Sequence, residues 1–159
     1  MATRSIIAIR HPNNSIKAIY CHNGGGIEHN GETLFKYYNT KEKVVNLISL
    51  GYLSSLWETL NDTCAYHRDC NQAFEIDSYN NEKEFIKAES NRYTELYYLF
   101  DVNRNKWFVL NKRDTLETID KNGNHKYVKT DNWIHLEKWI YETRRMKAEH
   151  DKYIKSLYK

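Results

Sequence analysis

Two pairs of short β-type runs, each pair joined by a turn of a few residues, most constrain what this chain can fold into. Residues Arg4–Arg10 (Arg-Ser-Ile-Ile-Ala-Ile-Arg) and Ile16–His22 (Ile-Lys-Ala-Ile-Tyr-Cys-His) form the first pair. The stretch between them, His11-Pro12-Asn13-Asn14-Ser15, is rich in turn formers and predicts a hairpin loop of about five residues. Thr94–Asp101 and Lys106–Leu110 form the second pair, across Val102–Asn105. Both pairs are rich in the β-branched and aromatic residues that suit a pleated surface. Alternation puts Ile16, Ala18, Tyr20 and His22 on one face of the second run, and Lys17, Ile19 and Cys21 on the other.

Between and after these pairs the pattern turns helical. Asn30 is read as the N-cap of a short helix over 31–39, with Leu34, Tyr37 and Tyr38 on one side. Thr40 caps a second helix, Lys41–Leu50, where Val44, Leu47 and Ile48 repeat at helical spacing. Gly51 is its expected left-handed stop. Tyr52–Trp57 reads as a tight connection packed on the core. Residues 61–70 suit a short strand or a structured loop, 72–77 a short strand with Phe74 and Ile76 on one face. Asn80–Ser90 is weakly helical or a polar insertion, and a strand is expected near Lys126–Lys129 after the turn Lys121–Asn124. Asp131–Tyr158 reads as one long helix capped by Asp131. Trp133, Leu136 and Ile140 make its stripe, and Tyr153, Ile154 and Leu157 continue near the end. Its middle, Thr143–Asp151, is almost wholly polar, so that part projects toward solvent or a partner. The sum is one α+β domain over 1–159: an antiparallel sheet, short helices after the first hairpin, and a long C-terminal helix.

At 159 residues the chain is long enough to bury one real core. Its longest aliphatic run is four residues, Ile6–Ile9, far short of the roughly 20 that span a bilayer. The N-terminus lacks a long apolar stretch, so no signal peptide and no membrane contact are expected. The odd count of three cysteines, Cys21, Cys64 and Cys70, then suggests reduced thiols in a cytoplasm. The net charge of +3 is no nucleic-acid signature, although residues 81–159 hold 17 basic and 13 acidic residues against 7 and 8 before them. With no RNP-like motif either, direct nucleic-acid binding is not expected.

Residues that could carry chemistry gather near the glycine run Asn23-Gly24-Gly25-Gly26. Such a run lets backbone approach something closely, or forms a plain flexible turn. His22 and His29 flank it, Glu28 could serve as a base beside His29, and Asn23 and Asn30 border it. His67-Arg68-Asp69 is a second polar group, read either as a local surface ion pair or as an arginine that grips an anion. Tyr37 belongs to the 13 tyrosines that could supply an aromatic interface. Together His22, Asn23, Glu28, His29, Asn30, Tyr37, His67, Arg68 and Asp69 are the candidate binding residues. His-x6-His is not a tight metal spacing, no Walker or G-x-S-x-G motif is present, and no nucleophile stands opposite a base. No catalytic residue, cofactor or metal is therefore assigned, and the chain is not read as an enzyme.

Several segments resemble a family of small phage and prophage proteins. They are Met1-Ala2-Thr3-Arg4-Ser5, Lys17-Ala18-Ile19-Tyr20-Cys21-His22, Glu28-His29-Asn30-Gly31, Leu53-Ser54-Ser55-Leu56 and Ala65-Tyr66-His67-Arg68-Asp69, with a looser match at Tyr97–Asp101 and Trp107. The resemblance covers roughly the first 70 residues and leaves out the long C-terminal helix. Family members usually carry a Trp-Asp-Gly-Tyr type run after the Cys-His pair, where this chain has Asn23-Gly24-Gly25-Gly26. The resemblance implies an accessory protein of a mobile element, acting in a bacterial cytoplasm. Length and AT-rich composition also resemble the type II-A anti-CRISPRs of low-GC Gram-positive bacteria. That resemblance implies a host defence protein as partner, Cas9 first, inhibited by stoichiometric contact. The alternative is a His/Arg/Asp-lined pocket that binds or hydrolyses a nucleotide immune signal. A homo-oligomer stays open under either expectation.

Overall fold

The computed structural model describes residues 3–89, 94–111, 115–119, 122–123, 125–129 and 133–158. The first hairpin forms as expected: β1 (Ser5–Arg10) pairs antiparallel with β2 (Ile16–Cys21), from Ser5 opposite Cys21 to Arg10 opposite Ile16. The second forms as β6 (Leu96–Asp101) against β7 (Lys106–Asn111). The two hairpins join through β1 and β6, which run parallel. On the other side β3 (Leu53–Ser55) lies parallel to β2, and β4 (Cys64–Ala65) closes that edge. β5 (Asp77–Tyr79) also pairs with β2, and β10 (Ile134–His135) extends β7, giving one sheet of eight strands among the described residues.

The fold is therefore α+β as expected, but its sheet is mixed. Local turns specify antiparallel neighbours. Parallel neighbours need a crossover of a dozen or more residues. Residues 22–52 provide one crossover, carrying a π-helical turn (Ile27–Gly31), α1 (Glu32–Tyr37) and α2 (Lys41–Ile48). The second long connection carries β5 and α4 (Glu82–Glu89) and returns the chain beside β1.

Alternation along the strands divides the core in two. Ile7, Ile9, Ile19, Cys21, Tyr98, Phe100 and Val109 face Leu34 of α1, Val44, Leu47 and Ile48 of α2, and Leu136 and Ile140 of α5 (Leu136–Leu157). Ile6, Ala8, Ile16, Ala18, Tyr97 and Leu99 face Phe85 of α4. β1 is thus covered on both faces, and Ser5 through Ile9 are all buried. The face assignment of Ile16–His22 matches its alternation, with Tyr20 packed on the second core.

Some local expectations need correction. Leu53–Ser55 is a strand rather than a tight connection. Residues 61–70 hold both β4 and a one-turn helix, α3 (Tyr66–Cys70). The strand expected at 72–77 begins only at Asp77, and Phe74 is exposed. The long helix starts at Leu136, because Ile134 and His135 are drawn into the sheet beside Phe108 and Val109. Asp131, its expected cap, lies outside the described residues. The strand expected near 126–129 is β9 (His125–Lys129), paired with β8 (Thr115–Ile119) in a separate two-stranded sheet. No described helix is long and apolar enough to cross a membrane.

Candidate functional site

The glycine run is the hinge on which the site is built. Gly25 donates its N–H to the Thr3 carbonyl at 2.8 Å, and its own carbonyl accepts the buried Tyr98 hydroxyl at 2.7 Å. A Cβ at Gly25 would stand 2.7 Å from the Thr3 oxygen and 2.9 Å from the Arg4 carbonyl carbon. The close approach open to glycine is thus made to the chain's own N-terminal strand. The loop is held by protein atoms and does not present a free phosphate cradle.

Asn30 completes that loop from within. It is buried and does not cap α1. Its amide nitrogen donates toward Ser5 Oγ at 3.2 Å, the Asn23 carbonyl at 3.3 Å and Cys21 Sγ at 3.4 Å. Its backbone N–H bonds the Gly24 carbonyl at 2.9 Å. Burial pushes the Cys21 thiol up to about 11, so it stays protonated. Asn23 ties the loop to the neighbouring strand, donating from both its backbone N–H and its side-chain amide to the Ser54 carbonyl at 3.0 Å.

These ties bring the π-helical turn and α1 alongside the segment that follows β3, leaving a cleft of about 310 Å³ between them. Asn23, Glu28, His29, Asn30 and Tyr37, five of the expected binding residues, line it. The facing wall is Ser55–Glu58, and Glu32, Thr33 and Lys36 of α1 complete the lining. Three carboxylates, Glu28, Glu32 and Glu58, meet one ammonium, Lys36. Glu32 also pairs with Arg144 of α5 at 3.0 Å. The Glu58 carboxylate beside the Tyr37 hydroxyl, chiefly through its charge, holds that phenol above its ordinary range.

Trp57 was not expected here. The residue is 57% exposed, yet its backbone is firmly placed. Its N–H donates to Thr63 Oγ1 at 3.0 Å, and its carbonyl accepts the Tyr38 hydroxyl at 2.8 Å. The indole N–H donates to Ser55 Oγ at 3.1 Å. Thr63 is itself buried and bonds back to the Thr59 carbonyl at 2.9 Å. The sequence signal was the run Thr59-Leu60-Asn61-Asp62-Thr63, a hydroxyl- and carboxylate-rich turn directly after the tryptophan. Such a turn can hold its neighbour at the surface.

The other expected residues lie elsewhere. His22 shares a 2.8 Å hydrogen bond between Nδ1 and the Tyr20 hydroxyl. His67 Nδ1 bonds the Gln72 carbonyl at 2.9 Å, and its ring stands edge-on to Phe74. Asp69 accepts the Ala65 N–H at 2.8 Å and pairs with Arg68. The Arg68 hydrogen bond, with the Ala65 N–H, holds the Asp69 carboxyl below its usual range. Arg68 reaches back to the Thr63 carbonyl. Arg68 and Asp69 therefore bind their own one-turn helix to the sheet edge, and His67 ties it to the segment that follows. Among the described residues no three His, Cys, Asp or Glu side chains converge as a metal requires. No family model, curated protein or solved structure matches this chain.

Proposed function

We propose that this chain acts by stoichiometric protein–protein contact through the Trp57–Tyr37 cleft, as a counter-defence protein of a mobile element. The observation that carries this reading is Trp57: a large ring left exposed while its backbone and indole N–H are all anchored. A rigid exposed tryptophan gives a partner contact area at little entropic cost, and tryptophan and tyrosine dominate interface hot spots. The carboxylates around it favour a basic partner surface. Nucleic-acid-binding nucleases carry such surfaces. A Cas9-type nuclease is the first partner to test, given the resemblance of the N-terminal residues to small phage and prophage proteins. The nucleotide alternative draws less support. A phosphate entering this cleft meets three glutamates, and His22, Arg68 and Asp69 do not line it.

The test is a plasmid-interference assay. The chain is co-expressed with Cas9 from a low-GC Gram-positive host and a targeting guide, and surviving transformants are counted. Rescue by the wild type, lost in Trp57→Ala, is the expected outcome. No rescue by soluble, expressed protein overturns the Cas9 assignment. A thermal shift with cyclic or ADP-ribose-type nucleotides would then return the cleft to the nucleotide reading.

A further inference from the structure

Helix α5 carries an apolar repeat that its own fold covers only at one end. Leu136, Trp139, Thr143, Met146, His150, Tyr153 and Leu157 follow one another at alternating steps of three and four residues, which places them on a single stripe of the helix. The stripe starts inside the fold: Leu136 is buried and Trp139 is half-buried against the first core. It then runs out past it. Beyond the Arg144–Glu32 pair every residue of α5 is exposed, and Met146, Tyr153 and Leu157 stand more than half in solvent. The borders of the stripe differ in charge. Glu142 and Glu149, each one residue before a stripe position, lie on one border. Lys147, one residue after Met146, lies on the other, with the exposed Ile154 a heptad later.

We propose that the exposed part of this stripe pairs in parallel with the same helix of a second copy of the chain. A heptad stripe is the form that fits a facing helix, whose holes repeat at the same spacing. Charge selects the partner and its direction. In a parallel pair each border meets the opposite border of the other helix five residues further on, so Glu142 faces Lys147 of the second copy, twice by symmetry. The Glu142 carboxylate is held at the helix surface by Arg145 at 2.9 Å and keeps 40% side-chain exposure, open to that second cation. In an antiparallel pair each border meets its own kind: the glutamates gain no cation and Lys147 no carboxylate. Met146, Tyr153 and Leu157 bury against their own copies across the parallel seam, and the polar Thr143 and His150 fix its register at a cost in stability. A seam of about two heptads with two polar positions makes the dimer weak and dependent on concentration. It shares no residue with the Trp57–Tyr37 cleft.

The full chain is sedimented at concentrations rising to roughly 1 mM, which covers Kd values into the weak millimolar range. The expected result is a mass that climbs from one chain to two, while a chain ending after Ala148 stays at one. Glu142→Lys and Lys147→Glu should each weaken the dimer, because each sets like charges against each other across the seam. An equimolar mixture of the two variants places a lysine opposite a glutamate on both sides, and should regain the wild-type association as heterodimers. Both substitutions lie on the helix surface, and circular dichroism checks that each variant stays folded. A single-chain mass throughout, or a dimer that survives the truncation, overturns the proposal. So does a mixture that associates no more tightly than either variant alone, since that outcome removes the Glu142–Lys147 register.

Discussion

Gly25 and Trp57 do opposite work, and substitution separates them. Gly25 sits where a Cβ would overlap the backbone of Thr3 and Arg4, and neither can move without disturbing β1. Gly25→Ala is expected to cost about 1–3 kcal/mol, the usual range for an overpacked site, read as a lower urea midpoint at unchanged slope. Trp57→Ala removes a ring that is mostly in solvent and leaves its backbone bonds in place. Its stability should stay within about 0.5 kcal/mol of wild type, while partner binding weakens by about 2 kcal/mol or more, roughly 30-fold. Equal loss in both measurements would make Trp57 a packing residue instead. At this scale, legibility followed how local the cause was. Thr40 accepts the Lys43 N–H at 3.3 Å, and Gly51 has φ 77°, both as their positions in sequence indicate. Asn30 looks identical to Thr40 as a cap candidate. Its real partners, Ser5, Cys21 and Asn23, are brought to it only by the folded sheet.

The same boundary between local and distant causes governs the elements. Hairpins β1–β2 and β6–β7 were legible because each turn and both its strands are contiguous. The parallel pairings β1–β6 and β2–β3 were not, since no local pattern records which strand a crossover returns to. The β1–β6 seam carries a testable charge. Arg10 of β1 pairs with Asp101 of β6, and also with Glu82 of α4 at 2.7 Å. Burial alone would raise the Asp101 carboxyl. The Arg10 guanidinium and the N–H groups of Arg104 and Asn103 outweigh it and hold the carboxyl below the carboxylate range. In the unfolded chain Asp101 titrates near its ordinary value of about 4. Between the two values the unfolded chain binds a proton that the folded chain does not. The stabilisation is thus complete above about pH 4 and lost as pH falls through the folded value. Urea denaturation across this range should show that acid loss in the wild type and a flatter profile in Asp101→Asn. The variant should also be less stable at neutral pH, because Arg10 keeps only Glu82. A variant with the wild-type acid slope would place the titrating group elsewhere.

For the whole molecule, the question is how much of the long helix belongs to the fold. Only Leu136 and Ile140 of α5 are buried, both in its first turns. Arg144 pairs with Glu32 beside the cleft, and beyond it Tyr153, Leu157 and Tyr158 are largely exposed. The polar middle of this helix is legible from composition, and its residues beyond Ile140 are exposed or half-buried. Its docking is less legible, because Ile134 and His135 first extend the sheet edge at β7. A chain ending after Ala148 keeps both buried anchors and the Glu32 pair; among the described side-chain contacts it loses the exposed ion pair of Arg145 with Glu149 and the Ser156–Tyr153 hydrogen bond. Such pairs contribute little. Truncation should therefore leave the urea midpoint nearly unchanged, whereas Leu136→Ala should cost about 2–5 kcal/mol as a buried cavity. The truncated chain also separates the two surfaces that a partner could use. With contact at the Trp57–Tyr37 cleft, it should match the full chain in the interference assay while Trp57→Ala does not. Rescue that survives Trp57→Ala but disappears on truncation would move the contact face to the projecting helix, whose exposed Tyr153, Leu157 and Tyr158 would then be the residues that meet the partner.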